Sequence, residues 1–235
     1  MKKIIVIFLF LFVAGISTAQ IKERASNSTV YLGIGYKFVF LTNTEARDAY
    51  PFFQLSNGNF LKELDGFIGV AFNEKYAVEF SPAYLFTNSV ASDGYNYSEN
   101  NISRFYFPQQ TSLFALPLNI RMKYLPFSNE STSALGKIYV GAGVGAMYIS
   151  EEMTNEIYSD NTRSNYLGLK TYSSNFWTSD YELFVGINSF SKIGYGFELS
   201  YRFVPLNQPD NKPIITSLAG NFNSINLTAN ITLTF

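Results

Sequence analysis

Apolar and polar side chains alternate along most of this chain, and this period of two restricts the possible folds more than any other feature. The last stretch shows the pattern most clearly, with apolar residues at Ile225, Leu227, Ala229, Ile231, Leu233 and Phe235. Ser, Asn and Thr residues lie between them. Because successive side chains of a β-strand point to opposite faces, the stretch predicts a strand with one apolar and one polar face.

Eight segments follow this pattern, and we expect each to form one strand. They lie at about 30–40, 66–73, 76–86, 112–125, 137–149, 178–188, 193–204 and 222–235. The connections at 41–65, 87–111, 150–177 and 205–221 are long and rich in Asn, Ser, Thr and Tyr, whereas the others are shorter. Alternation of short and long connections is typical of outer-membrane barrels, whose short turns and termini lie on the periplasmic side.

The bulk of the apolar faces indicates which side of the barrel meets lipid. The chain has 23 Phe and 17 Tyr, and only 15% of its residues are charged. An eight-stranded barrel has too little interior space for so many large side chains, whereas its small and polar opposite faces suit a narrow lumen. We therefore predict an all-β fold, an eight-stranded antiparallel up-and-down transmembrane β-barrel with apolar rows facing outward.

This orientation leads to a mutational expectation for two neighbouring residues. Val70 is placed on the lipid face, so Val70→Arg is expected to cost roughly 2 to 4 kcal/mol of stability in the membrane. Gly69 is placed on the lumen face, and we expect Gly69→Ser to cost much less. Equal tolerance of both changes would contradict the assignment of faces.

The amino terminus has the layout of a secretory signal peptide. Lys2 and Lys3 precede an apolar run at 4–14, and Ser17-Thr18-Ala19 supplies small residues for cleavage. A transmembrane helix is disfavoured because the run is shorter than the roughly 20 residues needed to cross a bilayer. The predicted domains are a signal peptide at 1–19 and an outer-membrane β-barrel at 20–235.

The residue types that are missing exclude several kinds of chemistry. The chain has no cysteine and no histidine, which excludes disulfides, thiolate metal sites and the most common general base. Its net charge of −1 does not predict nucleic-acid binding. We expect no catalytic residue, metal or cofactor, and we disfavour a paired-carboxylate hydrolase because its carboxylates would face a closed interior.

Three parts of the chain, 66–86, 114–124 and 227–235, resemble the OmpA/OmpX-like outer-membrane β-barrel family, including PorT-like barrel domains. In the second of these, Pro117 stands between apolar residues, as in a strand common in that group. The resemblance implies a barrel embedded in outer-membrane lipid. It also implies that the last strand, ending on Phe235, carries the signal that the barrel-assembly machinery recognises.

Charged residues on the predicted lumen face form the first candidate site. They are Lys37, Glu79, Arg121, Lys123, Asp180, Glu182, Glu198 and Arg202. If Phe72 pairs with Tyr76, Glu79 faces Gly69, which leaves room for a long partner such as Arg121.

A second pairing raises a problem of like charge. If Ile187 pairs with Ile193, Glu182 lies directly opposite Glu198, and a cation or a bound proton must compensate. The lumen charges as a whole can be interpreted as a gate in a narrow conductance or as a salt-bridge plug that fixes the barrel shape. We favour the plug because small barrels have filled lumens.

Aromatic residues in the predicted long loops form the second candidate site. They are Tyr95, Tyr97, Tyr106, Tyr158, Tyr166 and Trp177. Tyrosines among Asn and Ser are typical of adaptable recognition surfaces, although some of them would equally suit an aromatic band at the membrane interface.

The leading hypothesis is a non-enzymatic integral barrel with a structural role or a surface-interaction role, whose long loops contact an extracellular or envelope protein. The alternatives are an accessory barrel for protein secretion, a narrow passive channel and a soluble ligand carrier. Membrane sedimentation without detergent separates the last alternative from the others.

Overall fold

The computed structural model describes residues 28–49, 62–90, 94–99, 101–128, 134–189, 191–207 and 211–235. The predicted signal peptide at 1–19 lies outside the described residues. The strands are β1 (Ser28–Leu41), β2 (Lys62–Phe72), β3 (Tyr76–Val90), β4 (Tyr95–Glu99), β5 (Ile102–Tyr124), β6 (Ile138–Tyr158), β7 (Tyr166–Asn188), β8 (Ile193–Phe203) and β9 (Ser224–Thr234). Two short helices are α1 (Thr44–Ala49) and α2 (Ile215–Leu218), and a 3₁₀ turn covers Leu135–Lys137. Within these segments, neither helix is long and apolar enough to cross a membrane.

Eight of the strands close into a ring by antiparallel pairing. Around the ring, β1 pairs with β2 and β9, β2 pairs with β3, β3 pairs with β5, and β5 to β9 pair in chain order. The ninth strand, β4, pairs with the outer end of β5. Closure leaves no unpaired sheet edge within the ring, which a bilayer requires because hydrocarbon cannot hydrogen-bond to free backbone groups. The predicted eight-stranded antiparallel barrel is confirmed.

The two faces of the strands have the polarity that the alternation predicts. Large apolar side chains stand on the outer surface, where Leu183 and Phe197 are each 66% exposed. Charged side chains point inward, and Lys37 and Arg121 are only 2% and 3% exposed. An apolar exterior around a charged interior is stable only in hydrocarbon, so the ring is a transmembrane β-barrel.

An aromatic band marks one boundary of the apolar belt. Its members lie on four adjacent strands and touch in sequence: Tyr84, Phe114, Tyr148 and Trp177. Such bands occur where the hydrocarbon meets the polar headgroups. Trp177, predicted as a candidate for recognition, therefore lies in the interfacial band.

The prediction of long loops at 87–111 and 150–177 is wrong, because the structure places most of these residues in strands. β5, β6 and β7 continue past the aromatic band, and β6 reaches Tyr158, ten residues beyond Tyr148. At the usual rise and tilt of barrel strands, this raises the tip of β6 about 25 Å above the band. We call β4 and the parts of β5, β6 and β7 beyond the band the extension.

The polarity of the strands reverses in the extension, and this reversal explains why the strands were predicted as loops. On β6 the outward residues change from Val144 and Tyr148 to Ser150, Glu152 and Thr154. The inward row now includes the buried apolar residues Met153 and Ile157. Outside the bilayer the outer face meets water, so a polar exterior replaces the apolar one.

The packing around Gly69 contradicts the expected tolerance of Gly69→Ser. A Cβ atom at Gly69 would stand 2.6 Å from the ring of Tyr31 and 2.8 Å from Cγ of Glu79. Two buried side chains that hydrogen-bond to each other therefore occupy the space above this glycine. The lumen is narrow enough that even one added carbon has to displace them.

We now expect Gly69→Ala to lower the free energy of unfolding by roughly 1–3 kcal/mol through overpacking. Gly66→Ala on the same strand is the control, because its nearest neighbour would be the Pro82 carbonyl oxygen at 3.9 Å. Urea titration of both variants in lipid vesicles measures the difference. If both variants lose the same free energy of unfolding, the side chains around Gly69 accommodate an added carbon without strain.

Candidate functional site

The barrel interior holds one connected network of buried charges. Six carboxylates and four cationic side chains belong to it: Glu63, Asp65, Glu79, Asp180, Glu182, Glu198, Lys37, Arg121, Lys123 and Arg202. The structure thus places all eight of the predicted lumen charges inside the barrel. We call these ten residues the lumen network.

Sequence reasoning missed Glu63 and Asp65, since β2 was predicted to begin only at Gly66. β2 begins at Lys62, and both carboxylates lie on its inner face. Leu64 was the available signal, because it continues the outward row of Ile68 by the same period of two.

Arg121 connects three strands at the centre of the network. Its Nη1 lies 3.4 Å from Glu79 Oε2 and its Nε lies 3.2 Å from Glu182 Oε2. Its Nη2 donates to Glu198, and the guanidinium carbon stands 4.0 Å from the centre of the Phe184 ring. A planar guanidinium with several donors suits such multiple pairing better than an ammonium group does.

The rest of the network extends from Arg121 toward both ends. Lys123 pairs with Glu79 on one side. On the other side, Lys37 Nζ lies 3.4 Å from Glu182 and 3.2 Å from Glu63. Arg202 then donates to both Glu63 oxygens at 2.6 and 2.8 Å. Each of the six carboxylates therefore lies within 4 Å of at least one of the four cations, as expected of buried ions that cannot reach water.

The predicted opposition of Glu182 and Glu198 is wrong. Ile187 pairs with Phe197, not with Ile193, so the register of β7 and β8 differs from the expected one. This register places Arg202 directly opposite Glu182. Opposite charges facing each other across a strand pair are favourable, whereas two carboxylates are not. The predicted pairing of Phe72 with Tyr76, which sets Glu79 opposite Gly69, is confirmed.

An apolar layer and two helices cover the lumen network on the side of the extension. Val39, Met147, Ile149 and Phe176 belong to the layer, and all four are buried. Asn43 caps α1 by accepting from the Ala46 amide at 3.0 Å, and α1 packs against α2. The mouth of the barrel is therefore closed by packed side chains in the described part of the chain.

Glu151 holds α2 in this position. Its carboxylate accepts from the amides of Ile215 and Thr216 at 3.1 and 2.9 Å, and from the Thr216 hydroxyl at 2.6 Å. Glu151 is 1% exposed. A carboxylate at the first turn of a helix satisfies amides that lack a partner within the helix.

We expect Glu151→Ala to release α2 from the mouth, because the buried donors lose their acceptor at a cost of roughly 2 kcal/mol. Hydrogen exchange of the Ile215 and Thr216 amides should accelerate by about 30-fold at that cost. Glu152→Ala serves as the control, since Glu152 is exposed on the opposite face of the same strand. Unchanged exchange in Glu151→Ala would show that apolar packing alone holds the helix.

Three of the candidates for recognition point into the extension instead of out of it. Tyr95 and Tyr97 pack on Tyr106, with ring centres 6.0 and 5.8 Å apart, and Tyr106 is completely buried. Tyr95 also donates to the Pro213 carbonyl at 2.8 Å, and burial raises the pKa of its hydroxyl. Tyr106 is therefore an interior residue of the extension, and the half-buried rings of Tyr95 and Tyr97 pack around it.

Two further candidates, Tyr158 and Tyr166, lie at the outer surface of the tip. Their rings are 5.6 Å apart, and Tyr166 is 55% exposed. Leu167 and Leu169 follow on β7 with 48% and 59% exposure. We call Tyr158, Tyr166, Leu167 and Leu169 the tip patch.

Arg163 stands beside the tip patch in the turn between β6 and β7. Its guanidinium carbon lies 3.8 Å from the centre of the Phe107 ring, an arrangement that provides cation–π attraction. The turn is further ordered by Asp160, which accepts from the Thr162 amide at 3.0 Å. Hydrogen bonds from Thr162 and Ser159 lower the pKa of the Asp160 carboxyl. The tip therefore presents apolar surface on an ordered hairpin.

Phe235, the predicted assembly signal, lies at the closing seam of the barrel. Its side chain is 65% exposed, and its amide donates to the Val30 carbonyl at 2.9 Å. Across the described ranges, no group of three or more acidic residues is arranged to hold a metal ion.

No known protein family and no curated protein matches the sequence. Several solved structures of outer-membrane proteins are similar in shape. One is Ail, the attachment invasion locus protein of Yersinia pestis, in a structure with the heparin analogue sucrose octasulfate. It is 8% identical to this chain, with a TM-score of 0.44, and the match covers 90% of this chain and 100% of that chain. Neisserial surface protein A is 10% identical, with a TM-score of 0.39 over 91% and 100% of the two chains. OprG from Pseudomonas aeruginosa is 12% identical, with a TM-score of 0.37, and the match covers 89% of this chain and 96% of that chain.

Proposed function

We propose that this protein is a non-enzymatic integral barrel of a bacterial outer membrane, and that it acts through a surface interaction at the tip of its extension. The exposure of the tip patch carries this proposal. Leu167, Leu169 and Tyr166 are about half exposed, although they stand far above the apolar belt. Apolar side chains grouped on a water-facing surface mark sites of contact with another molecule.

The architecture of the extension supports the same conclusion. Its paired strands β6 and β7 support the tip patch, and the buried cluster around Tyr106 fills its interior. A preordered surface loses little entropy on binding. An extracellular protein with a complementary apolar surface is therefore the partner that we propose.

The filled interior weighs against a channel. The lumen network is paired throughout, and the apolar layer and α2 lie over it. Planar-bilayer recording of the full-length protein is expected to show no stable conductance steps. Reproducible steps that change in Glu79→Ala would favour the narrow channel over the proposed function.

The interaction is tested with a variant that alters only the tip patch, combining Tyr166→Ser, Leu167→Ser and Leu169→Ser. Nanodiscs carrying the barrel are passed over a panel of immobilised extracellular proteins, and retention of the wild type is compared with that of the variant. The control combines Thr171→Ala, Ser173→Ala and Asn175→Ala, which are outward positions lower on the same strand. We expect retention of the wild type and the control but not of the variant. Equal retention of all three would contradict the proposal.

Biogenesis follows from the same proposal. We infer that the segment 1–19 directs export and is removed, and that the barrel-assembly machinery inserts the chain into outer-membrane lipid through its last strand. A PorT-like accessory role in protein secretion is the second interpretation of such a barrel. It predicts that deletion of the gene blocks secretion of other proteins, whereas the surface-interaction role does not.

A further inference from the structure

A furrow crosses the lipid-facing surface of the barrel where Ala229 interrupts a row of bulky side chains. On the neighbouring strands, Tyr36 and Phe197 lie directly opposite Ala229. Along β9 itself, Leu227 and Ile231 stand on either side of it and are 48% and 46% exposed. The alanine methyl group thus forms the floor of a depression with walls on all four sides.

The depression is continuous with two longer grooves. One groove of about 310 Å³ runs past Ile34 to Leu64 on β2, and the other, of about 390 Å³, runs past Leu199 to Ile187 on β7. Both grooves include Phe197 and Ala229 in their lining. The furrow is therefore elongated, and it extends diagonally over several strands.

The furrow lies at the middle of the apolar belt. The outward row of β9 consists of Ile225, Leu227, Ala229, Ile231, Leu233 and Phe235. Ala229 is the third of these six residues from the extracellular end. At this depth the surroundings are the hydrocarbon tails of lipids or the wall of another membrane protein.

We propose that the furrow is a binding site for one acyl chain of a membrane lipid. A polymethylene chain is slender enough to reach the alanine floor between Tyr36 and Phe197. There it contacts aromatic side chains on both sides, whereas a chain on a smooth part of the belt is touched on one side only. Because lipid is the solvent of this surface, the site is always surrounded by a high concentration of its ligand.

A second copy of the barrel is the less favoured occupant. Lipid tails are as apolar as leucine, so no hydrophobic effect drives two barrels together inside a bilayer. Association there depends on close backbone approach or on hydrogen bonds between side chains. The walls of the furrow are aromatic rings and branched aliphatic side chains, so they hold the backbone of a second barrel away.

Photochemical labelling tests this site. The full-length protein is reconstituted in phosphatidylcholine vesicles that contain a small share of phosphatidylcholine with a diazirine halfway along one acyl chain. After irradiation, the labelled residues are mapped by mass spectrometry. We expect labelling to concentrate on Tyr36, Phe197 and Ala229, above the level at Ala142. Ala142 is an outward alanine of β6 whose cross-strand neighbours, Met122 and Leu183, are not aromatic and provide no ring walls.

Filling the furrow should remove this preference. In Ala229→Phe, labelling of the furrow residues is expected to fall to the level at Ala142, whereas Ala142→Phe leaves the furrow labelling unchanged. The shift in gel mobility on heating reports whether each variant is folded, and Ala229→Ile replaces Ala229→Phe if the larger residue prevents folding. Uniform labelling of the belt in the wild type, or crosslinks between two copies at the furrow, would overturn the proposal.

Discussion

Replacing Arg121 by methionine is expected to lower the free energy of unfolding by roughly 3–5 kcal/mol, the cost typical of removing one partner from a buried ion pair. The guanidinium faces Glu79, Glu182 and Glu198, all of which are nearly inaccessible to water. Methionine fills a similar volume but leaves Glu198 without a cation that directly contacts it. Unfolding in urea from lipid vesicles measures the loss.

Lys170→Met is the matched control for this prediction. Lys170 also pairs with a carboxylate, Glu99, but its side chain is 53% exposed. Exposed ion pairs contribute little, so we expect a loss below about 1 kcal/mol. The double variant Arg121→Met with Glu198→Gln should recover part of the stability. In it the Glu198 carboxylate, which loses its cation in Arg121→Met, is replaced by a neutral amide. If Arg121→Met costs no more than Lys170→Met, the lumen network is not a stabilising plug.

Leu183→Arg is expected to cost roughly 2–4 kcal/mol, because it places a guanidinium near the middle of the bilayer. Leu183 is 66% exposed on β7, between the outward residues Tyr181 and Val185. Reversible unfolding in vesicles gives the free energy directly.

Asn175→Arg is the control, because it introduces the same residue on the same strand but outside the bilayer. Asn175 faces outward on the same strand as Leu183 but lies beyond Trp177 and the aromatic band. An arginine there meets water or headgroups, where its cost is expected to fall to roughly 0–1 kcal/mol. Similar costs at both positions would place the bilayer elsewhere on the molecule.

The barrel itself could be predicted because its membrane-facing rows are simple. The outward rows within the bilayer are almost entirely apolar, so a period of two with bulky residues identifies both the strand and its orientation. The extension could not be identified in this way. Residues such as Ser150, Glu152 and Thr154 on β6 belong to the same continuous strand as Val144, but their polarity follows water instead of lipid.

The lumen network could also be predicted only in part. Alternation alone places Glu182 and Arg202 on the lumen face, but their pairing depends on how the chain turns between β7 and β8, and a one-dimensional pattern does not fix that register. The role of Glu151 was also out of reach, since it depends on a four-residue helix more than sixty positions away in the chain. Local propensity contains no information about such contacts.

Closure of the ring joins β1 to β9, and the amide of Phe235 donates to Val30. Until the last strand arrives, the first one has a bare edge that hydrocarbon does not tolerate. The earlier strands therefore gain no stable lipid-embedded state as they emerge one by one. Insertion is therefore expected to be all-or-none, with no stable intermediate in which only some of the strands cross the bilayer.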